Sequence, residues 1–281
     1  MTLSAADFAF VSNLVRREAA IVLAPGKEYL VEARLIPVAR QVGASGVAEF
    51  LANLQRRPNS ADQRRVVDAL TTNETSWFRD REPFTALSHV VLPELVSTPG
   101  TNRRIRLWSA ASSSGQEAYS LAITLQENLP PGWTYEIVGS DISTEMIKRA
   151  EAAEYSQVEV NRGLPATQLV QYFERAGAHW RVTPALRRNV SFKLMNLTAP
   201  LPPMPPFDVI FLRNVLIYFD VATKKAVLRN VARLLRPDGW LFLGAAETTI
   251  GIDENYERVA AGRTSAYRVR SAVPVGAARK G

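Results

Sequence analysis

Ile105-Arg106-Leu107-Trp108-Ser109-Ala110-Ala111-Ser112-Ser113-Ser114-Gly115-Gln116-Glu117 is the stretch on which the fold turns. A short apolar strand runs into a loop of small residues, and a helical pattern follows through Gln126. The same texture recurs toward the C-terminus. Tyr135-Glu136-Ile137-Val138-Gly139 reads as a strand ending at Asp141, with a helix from about Thr144. Phe207-Asp208-Val209-Ile210-Phe211 is a strand, followed by a loop and a helix from Thr223 to Leu235. Pro237-Asp238-Gly239 turns into the strand Trp240-Leu241-Phe242-Leu243, and Ala266-Tyr267-Arg268-Val269 reads as a closing edge strand. Strands alternating with helices imply a parallel sheet covered by helices.

Toward the N-terminus the texture differs. Ser97 to Asn102 reads as a loop and Phe84 to Val96 as a helix. Before them, Phe8, Val11, Leu14, Val15 and Val22, then Val47, Phe50, Leu51 and Leu54, recur at helical spacing, and Ser60-Ala61-Asp62-Gln63 fits a capping box opening a helix through Leu70. The expected organisation is a helical domain over 1–75, a linker and connecting helix over 76–102, an α/β domain over 103–270 and a basic tail over 271–281. Tyr155 to Leu197 breaks the α/β rhythm. With a helical piece at Gln168 to Arg175 and strand-like pieces at Trp180 to Val182 and Val190 to Phe192, it reads as an insertion of about 156–195 with its own small structure.

The chain has 281 residues, 47% of them hydrophobic and 22% charged, which is enough apolar material for a sizeable core. There is no cysteine, so disulfides and cysteine nucleophiles are excluded, and a reducing cytoplasm is the expected setting. With His89 and His179 the only histidines, no metal site is expected. The start lacks a signal-peptide pattern, and the most apolar run, Val209 to Phe219, is interrupted by Arg213 and Asn214, so no membrane insertion is expected. The net charge of +7 lies largely after Glu257, where six cations stand without an acid, and a second acid-free stretch runs from Arg175 to Phe207. A solvated tail and a nucleic-acid surface are both open to such a sequence.

In a doubly wound sheet the ligand lies beyond the carboxyl ends of the strands, where the strand order reverses. Three strand ends converge there. Ser109 to Gly115 is small enough for close backbone approach but lacks the three glycines of the dinucleotide fingerprint. Glu117 either caps its own helix in a Ser114-Gly115-Gln116-Glu117 box or faces a bound cation. Asp141 either caps the next helix or accepts from a ribose diol. Leu212-Arg213-Asn214-Val215-Leu216-Ile217-Tyr218-Phe219 carries polar groups inside an apolar run, and these need partners. A ribose-binding acid with a neighbouring carboxylate and no phosphate cradle points to S-adenosylmethionine rather than a nicotinamide dinucleotide. Thr71 to Arg79 joins the two domains as a plain linker or as a further wall of this site.

These pieces in this order resemble the chemotaxis receptor protein-glutamate O-methyltransferases, the CheR family. The resemblance rests on Thr72-Asn73-Glu74-Thr75 with Phe78-Arg79, Trp108-Ser109-Ala110 with Gly115-Gln116-Glu117-Ala118-Tyr119-Ser120-Leu121-Ala122, Ser140-Asp141-Ile142-Ser143, Asn196-Leu197, and Arg213-Asn214-Val215-Leu216-Ile217-Tyr218-Phe219. It covers roughly 5–270. It implies a Rossmann-like S-adenosylmethionine-dependent methyltransferase domain of the α/β class, an N-terminal helical domain and a small inserted antiparallel β-subdomain. It also implies that Asn73, Thr75, Arg79, Glu117, Asp141, Asn196, Leu197, Leu212 and Arg213 line the cofactor site, with Arg79 and Tyr218 nearest the transferred methyl group. The family's Gly-Glu-Glu-Pro reads Gly115-Gln116-Glu117-Ala118 here, and its Gly-His-Ser-Glu reads Gly244-Ala245-Ala246-Glu247.

The activity so implied is methylation of glutamate side chains on the cytoplasmic domains of membrane chemoreceptors, by a cytoplasmic monomer. Arg56, Arg57, Arg64 and Arg65 are candidates for meeting acidic methylation helices. Glu174-Arg175-Ala176-Gly177-Ala178-His179-Trp180 is short for a loop that grips a receptor pentapeptide, so no such tether is expected. Two other classes remain open. One is a nucleic-acid methyltransferase, for which Met204-Pro205-Pro206-Phe207 mimics an amino-methylating motif without its polar first residue. The other is a non-catalytic regulator that binds the cofactor.

Overall fold

The computed structural model describes residues 3–98 and 102–270. The basic tail and the centre of the 97–102 loop therefore lie outside the described residues. Four helices open the chain: α1 (Ala5–Ala19), α2 (Glu28–Gln41), α3 (Val47–Arg56) and α4 (Ser60–Leu70). Ser4 caps α1 by accepting from the Asp7 N–H at 3.1 Å. Asn59, not Ser60, caps α4, accepting from the Asp62 N–H at 2.8 Å. The helices close around Val11, Leu14, Val15, Val31, Leu35, Phe50, Leu51, Leu54, Val66 and Leu70; the α2 stripe of Val31 and Leu35 was not foreseen, and Val22, expected in the first stripe, lies beyond α1 and is exposed. Arg34 reaches from α2 to the carbonyls of Leu70 and Thr71 at 3.0 and 3.2 Å. It thereby satisfies the end of α4 and fixes the start of the segment that follows.

One continuous helical stretch comes next: α5 (Glu82–Ala86), a π-turn over Leu87–Val91 and α6 (Leu92–Ser97). The large sheet contains β1 (Arg104–Ala110), β2 (Thr134–Asp141), β6 (Val190–Leu194), β7 (Phe207–Leu212), β8 (Leu235–Leu243), β9 (Tyr256–Ala261) and β10 (Thr264–Val269). Its order is β6-β2-β1-β7-β8-β10-β9. The first five are mutually parallel, and β10 runs antiparallel to β8 and to β9. α7 (Gln116–Asn128), α8 (Thr144–Ala152) and α12 (Val221–Ala232) follow β1, β2 and β7. Every residue of β7 is buried, as a strand covered on both faces requires. Its one acid, Asp208, accepts from the Arg106 N–H and the Arg236 guanidinium. From β1 the chain winds out to β2 and β6, then returns to β7 on the other side, so the order reverses between β1 and β7.

Between α8 and β6 lie β3 (Glu154–Tyr155), α9 (Gln157–Asn161), α10 (Ala166–Tyr172), β4 (Phe173–Ala176), β5 (His179–Val182) and α11 (Pro184–Arg187). The three strands form a separate antiparallel sheet in the order β3-β5-β4. This corrects the sequence reading in two places. Arg175 lies in β4 rather than in a helix, and Val190 to Phe192 belongs to the edge of the large sheet, paired with Ile137 to Gly139. A five-residue alternation looks the same in a hairpin and on a sheet edge, so its partner could not be read. The Ala266–Val269 strand is likewise not the edge. That place is taken by β9, whose Glu257, Arg258 and Ala260 are exposed and give no apolar run to recognise.

The small sheet is tied to the interdomain segment by Trp77. Its buried ring meets Tyr155 and Phe173 edge-on at 4.9 and 5.2 Å, and its main-chain N–H donates to the Arg162 carbonyl at 3.1 Å. Gly163 makes this seat possible. It holds φ +100°, and a Cβ there would stand 2.2 Å from the Trp77 carbonyl oxygen.

Candidate active site

The carboxyl ends of β1, β2 and β7 open into a cleft enclosing about 880 Å³, its mouth included. β1 delivers a loop in which Ala111 and Ser113 both take positive φ, 60° and 48°. Non-glycine residues hold that geometry only when the surroundings impose it. Here the Ser112 N–H donates to the Ser140 carbonyl at 2.8 Å, and the Ser113 N–H to Asp141 Oδ2 at 2.8 Å.

Asp141 does not cap α8. Ser143 does so, accepting from the Met146 N–H, while the Ser143 N–H donates to Asp141 Oδ1 at 2.9 Å. The carboxylate is buried at the cleft wall, and loss of hydration raises its pKa above the ordinary value against the pull of the backbone donors. Glu117 does not form the capping box either: α7 has no side-chain cap. Its carboxylate instead accepts from Ser109 Oγ at 2.7 Å and from Arg213 Nη1 at 2.9 Å.

Arg213 is the centre of this wall. Its side chain is 1% exposed, and Nη2 donates to Asp80 Oδ2 at 2.6 Å and to the Arg79 carbonyl at 2.8 Å. The Phe84 ring lies 5.7 Å below its guanidinium, and its buried Nε has no protein partner. The apolar run around Arg213 thus holds a cation already balanced by two carboxylates.

The cleft brings Asn73, Thr75, Arg79, Glu117, Asp141, Asn196, Leu197, Arg213 and Tyr218 together. Leu212 is a correction: it is wholly buried in the sheet and does not line the cleft, because consecutive strand residues face opposite sides. The 71–79 segment is a wall and not a bare linker, with Asn73 held by its carbonyl to Ser113 Oγ at 2.7 Å and Arg79 Nη1 donating to the Glu74 carbonyl at 2.9 Å. Glu74 pairs with Arg162 of the inserted subdomain.

Sequence reasoning missed several contributors. Ala19 and Ile21 reach the cleft from the end of α1. Asn196 Nδ2 donates to the Glu18 carbonyl at 2.8 Å, and the Val22 N–H donates to the Tyr218 carbonyl at 3.1 Å. Asp80 was legible only as the neighbour of Arg79, whereas Ser109 opens the loop already read as part of the site. Met204 to Phe207, the nucleic-acid-type motif, lies at the opposite end of the sheet. Phe207 starts β7, and the Pro205 and Pro206 carbonyls accept from Arg106.

The donor set fits an adenosyl sulfonium. Four carboxylates, Glu74, Asp80, Glu117 and Asp141, stand against the three guanidiniums of Arg79, Arg162 and Arg213, which leaves one negative charge for a cationic ligand to balance. An acid in the first turn of α7 disfavours a phosphate there. Ala19, Ile21, Met195 and Leu197 supply apolar surface. Among the described residues, no group of three or more His, Asp or Glu side chains could hold a metal ion, and no helix is long and apolar enough to cross a membrane.

Comparison with known proteins agrees with this geometry. Residues 6–71 match the family model described as "CheR methyltransferase, all-alpha domain", and residues 73–264 match "CheR methyltransferase, SAM binding domain". Chemotaxis protein methyltransferase 1 of Pseudomonas aeruginosa is 38% identical over 278 residues, covering 96% of this chain and 100% of the relative. Chemotaxis protein methyltransferase Cher2 of Pseudomonas putida is 38% identical over 262 residues, covering 90% and 94%. The chemotaxis protein methyltransferase of Escherichia coli is 36% identical over 263 residues, covering 91% and 89%. Both parts of the chain are matched in order, so it belongs to the CheR methyltransferase family and is an S-adenosylmethionine-dependent methyltransferase.

Proposed function

We propose that this enzyme methylates glutamate side chains on the cytoplasmic domains of membrane chemoreceptors. The observation that carries the reading is one cleft joining two kinds of group. Asp141 and Glu117 suit a cationic nucleoside, and Arg79 and Tyr218 stand on the same wall system, suited to an incoming carboxylate. Asn73, Thr75, Glu117, Asp141, Asn196, Leu197 and Arg213 would hold the cofactor, which supplies an electrophilic methyl group when bound. A glutamate acceptor has a reference pKa of about 4.3 and arrives ionised near neutral pH, so no general base is required. Arg79 holds one carboxylate oxygen and leaves the other free to attack, and Tyr218 shapes the methyl path. Alignment then supplies much of the rate.

The acceptor helices are acidic. Arg56, Arg57, Arg64 and Arg65, on or beside α3 and α4, are the surface proposed to steer them, in a monomeric, cytoplasmic enzyme. The turn between β4 and β5 holds only Gly177 and Ala178, which supports docking without a pentapeptide tether. Incubation with methyl-labelled cofactor and receptor-containing membranes tests the reading. Base-labile label on receptor glutamates is the expected result, and label on RNA or DNA, or on nothing, would refute it. Calorimetric titration of a receptor C-terminal pentapeptide tests the tether, and micromolar binding would restore it.

A further inference from the structure

Glu247 does not line the cleft, yet four main-chain N–H groups converge on its carboxylate. Oε2 accepts from Asn214 at 2.8 Å and Gly244 at 2.7 Å, and Oε1 accepts from Val215 at 2.9 Å and Ile217 at 3.3 Å. The Glu247 N–H returns to the Gly244 carbonyl at 2.9 Å, closing a turn at the end of β8. A ring of backbone donors is an anion-binding concavity. Here the anion belongs to the chain itself and comes from the neighbouring strand. Gly244 leaves room for it, since a Cβ there would stand 2.7 Å from Oε2 and 2.9 Å from the Asn214 nitrogen. Asn214 holds φ +58°, a left-handed state that asparagine tolerates, and in it the Asn214 N–H meets the carboxylate. Ala245 and Ala246 between them are exposed.

We propose that Glu247 is a positioning residue for methyl transfer. Through the backbone of residues 214–217 it fixes the short 3₁₀ turn Leu216–Tyr218, and so sets where Asn214, Val215 and Tyr218 stand in the cleft. Arg213, just before this loop, has its own anchors in Glu117, Asp80 and the Arg79 carbonyl. The adenosyl half of the site, at Asp141, Asn196 and Leu197, is built from other strands. Loss of the clamp therefore loosens the transfer edge and leaves cofactor binding in place. The inference rests on the reading of Tyr218 given above.

Glu247→Gln replaces one of the two acceptor oxygens by an NH2, so two backbone donors face a donor. Gly244→Ala drives a methyl group into the same clamp with Glu247 retained. Hydrogen–deuterium exchange of the full chain reads the loop directly. In both variants, peptides over 213–219 are expected to exchange about tenfold faster with β7 and β8 unchanged, kcat to fall about tenfold or more, and the Kd for S-adenosylhomocysteine to stay within about threefold. Ala246→Ser behaves as wild type. Unchanged loop exchange in both variants overturns the clamp. Lost protection throughout the sheet makes Glu247 a folding residue and overturns the positioning role. A loosened loop with unchanged kcat also overturns that role, and it would remove Tyr218 from the reaction without touching the cofactor reading.

Discussion

Arg213 Nη1 and Glu117 Oε2 meet at 2.9 Å across the gap between β7 and α7, with the arginine side chain 1% exposed. The pair bridges the two sides of the point where strand order reverses. Asp80 holds the same guanidinium from the interdomain segment at 2.6 Å, so three parts of the chain share one cation. Glu117→Gln removes half of the charge balance in a nearly dry place. S-adenosylhomocysteine affinity is expected to fall at least tenfold, about 1.4 kcal/mol, by calorimetry. Stability should fall by only about 1–3 kcal/mol, because Asp80 still faces Arg213. Wild-type affinity in this variant would remove Glu117 from the cofactor site.

Asp141 gives a pH dependence whose sign is fixed. Burial raises its pKa in the folded chain, so the native state holds this proton to higher pH than the unfolded chain does. Its contribution to stability therefore declines as pH climbs from the unfolded value, about 3.9, through the higher folded one, and the full cost of the buried charge remains above that. A ribose diol donates to the ionised form, so cofactor affinity should drop as pH falls through the raised value, with proton release on binding in that window. Calorimetry in buffers of different ionisation enthalpy from about pH 7 down to about pH 4 measures both. Asp141→Asn should abolish the proton release, and a release that persists would assign it elsewhere.

Arg79→Ala separates turnover from binding. Among the described residues its guanidinium hydrogen-bonds only the Glu74 carbonyl, so its removal leaves the cleft wall standing. The expected loss in kcat is roughly 100-fold, as for a misaligned reactant, with the Kd for S-adenosylhomocysteine little changed. Parallel losses in both quantities would place Arg79 with the cofactor instead.

Gly163→Ala tests the seat of Trp77. The substitution forces a side chain into φ +100° and against the Trp77 carbonyl. A loss of about 1–3 kcal/mol is expected, lowering Tm by several degrees in thermal unfolding. Since Trp77 lies two residues before Arg79, turnover should fall below what the lost folded fraction explains. An unchanged Tm would show that the 75–80 segment does not depend on this contact.

Much of the architecture could be read because its signals are local. Ile105 to Trp108, Tyr135 to Gly139 and Phe207 to Phe211 are apolar runs between turn residues, and each became a central strand. Edges were harder. Val190 to Leu194 is half solvated and pairs with Ile137 to Asp141, distant in sequence, while Tyr256 to Ala261 pairs with the adjacent Thr264 to Val269 but exposes Glu257, Arg258 and Ala260 and so shows no apolar run. In the cleft, Asp141 and Arg213 stood out as polar residues at the ends of apolar strands. Glu247 did not: its partners are main-chain N–H groups, which carry no residue identity. Ala19 and Ile21 were hidden for another reason. Their place depends on how the helical layer docks, through contacts such as Asn196 to Glu18 that no periodicity encodes.

The docking of α1 limits how this family can be re-engineered. The end of the first helix and the residues just after it supply part of the cleft's lining; the Glu18 carbonyl accepts from the Asn196 side chain, and the Val22 N–H donates to the Tyr218 carbonyl. Grafting a foreign helical module to redirect the enzyme toward another receptor would also rebuild the lip over the nucleoside. If the helical domain steers the acceptor as proposed, target choice and cofactor retention are inherited together, and a chimera joined near residue 71 would need residues 18–22 carried over from its catalytic parent.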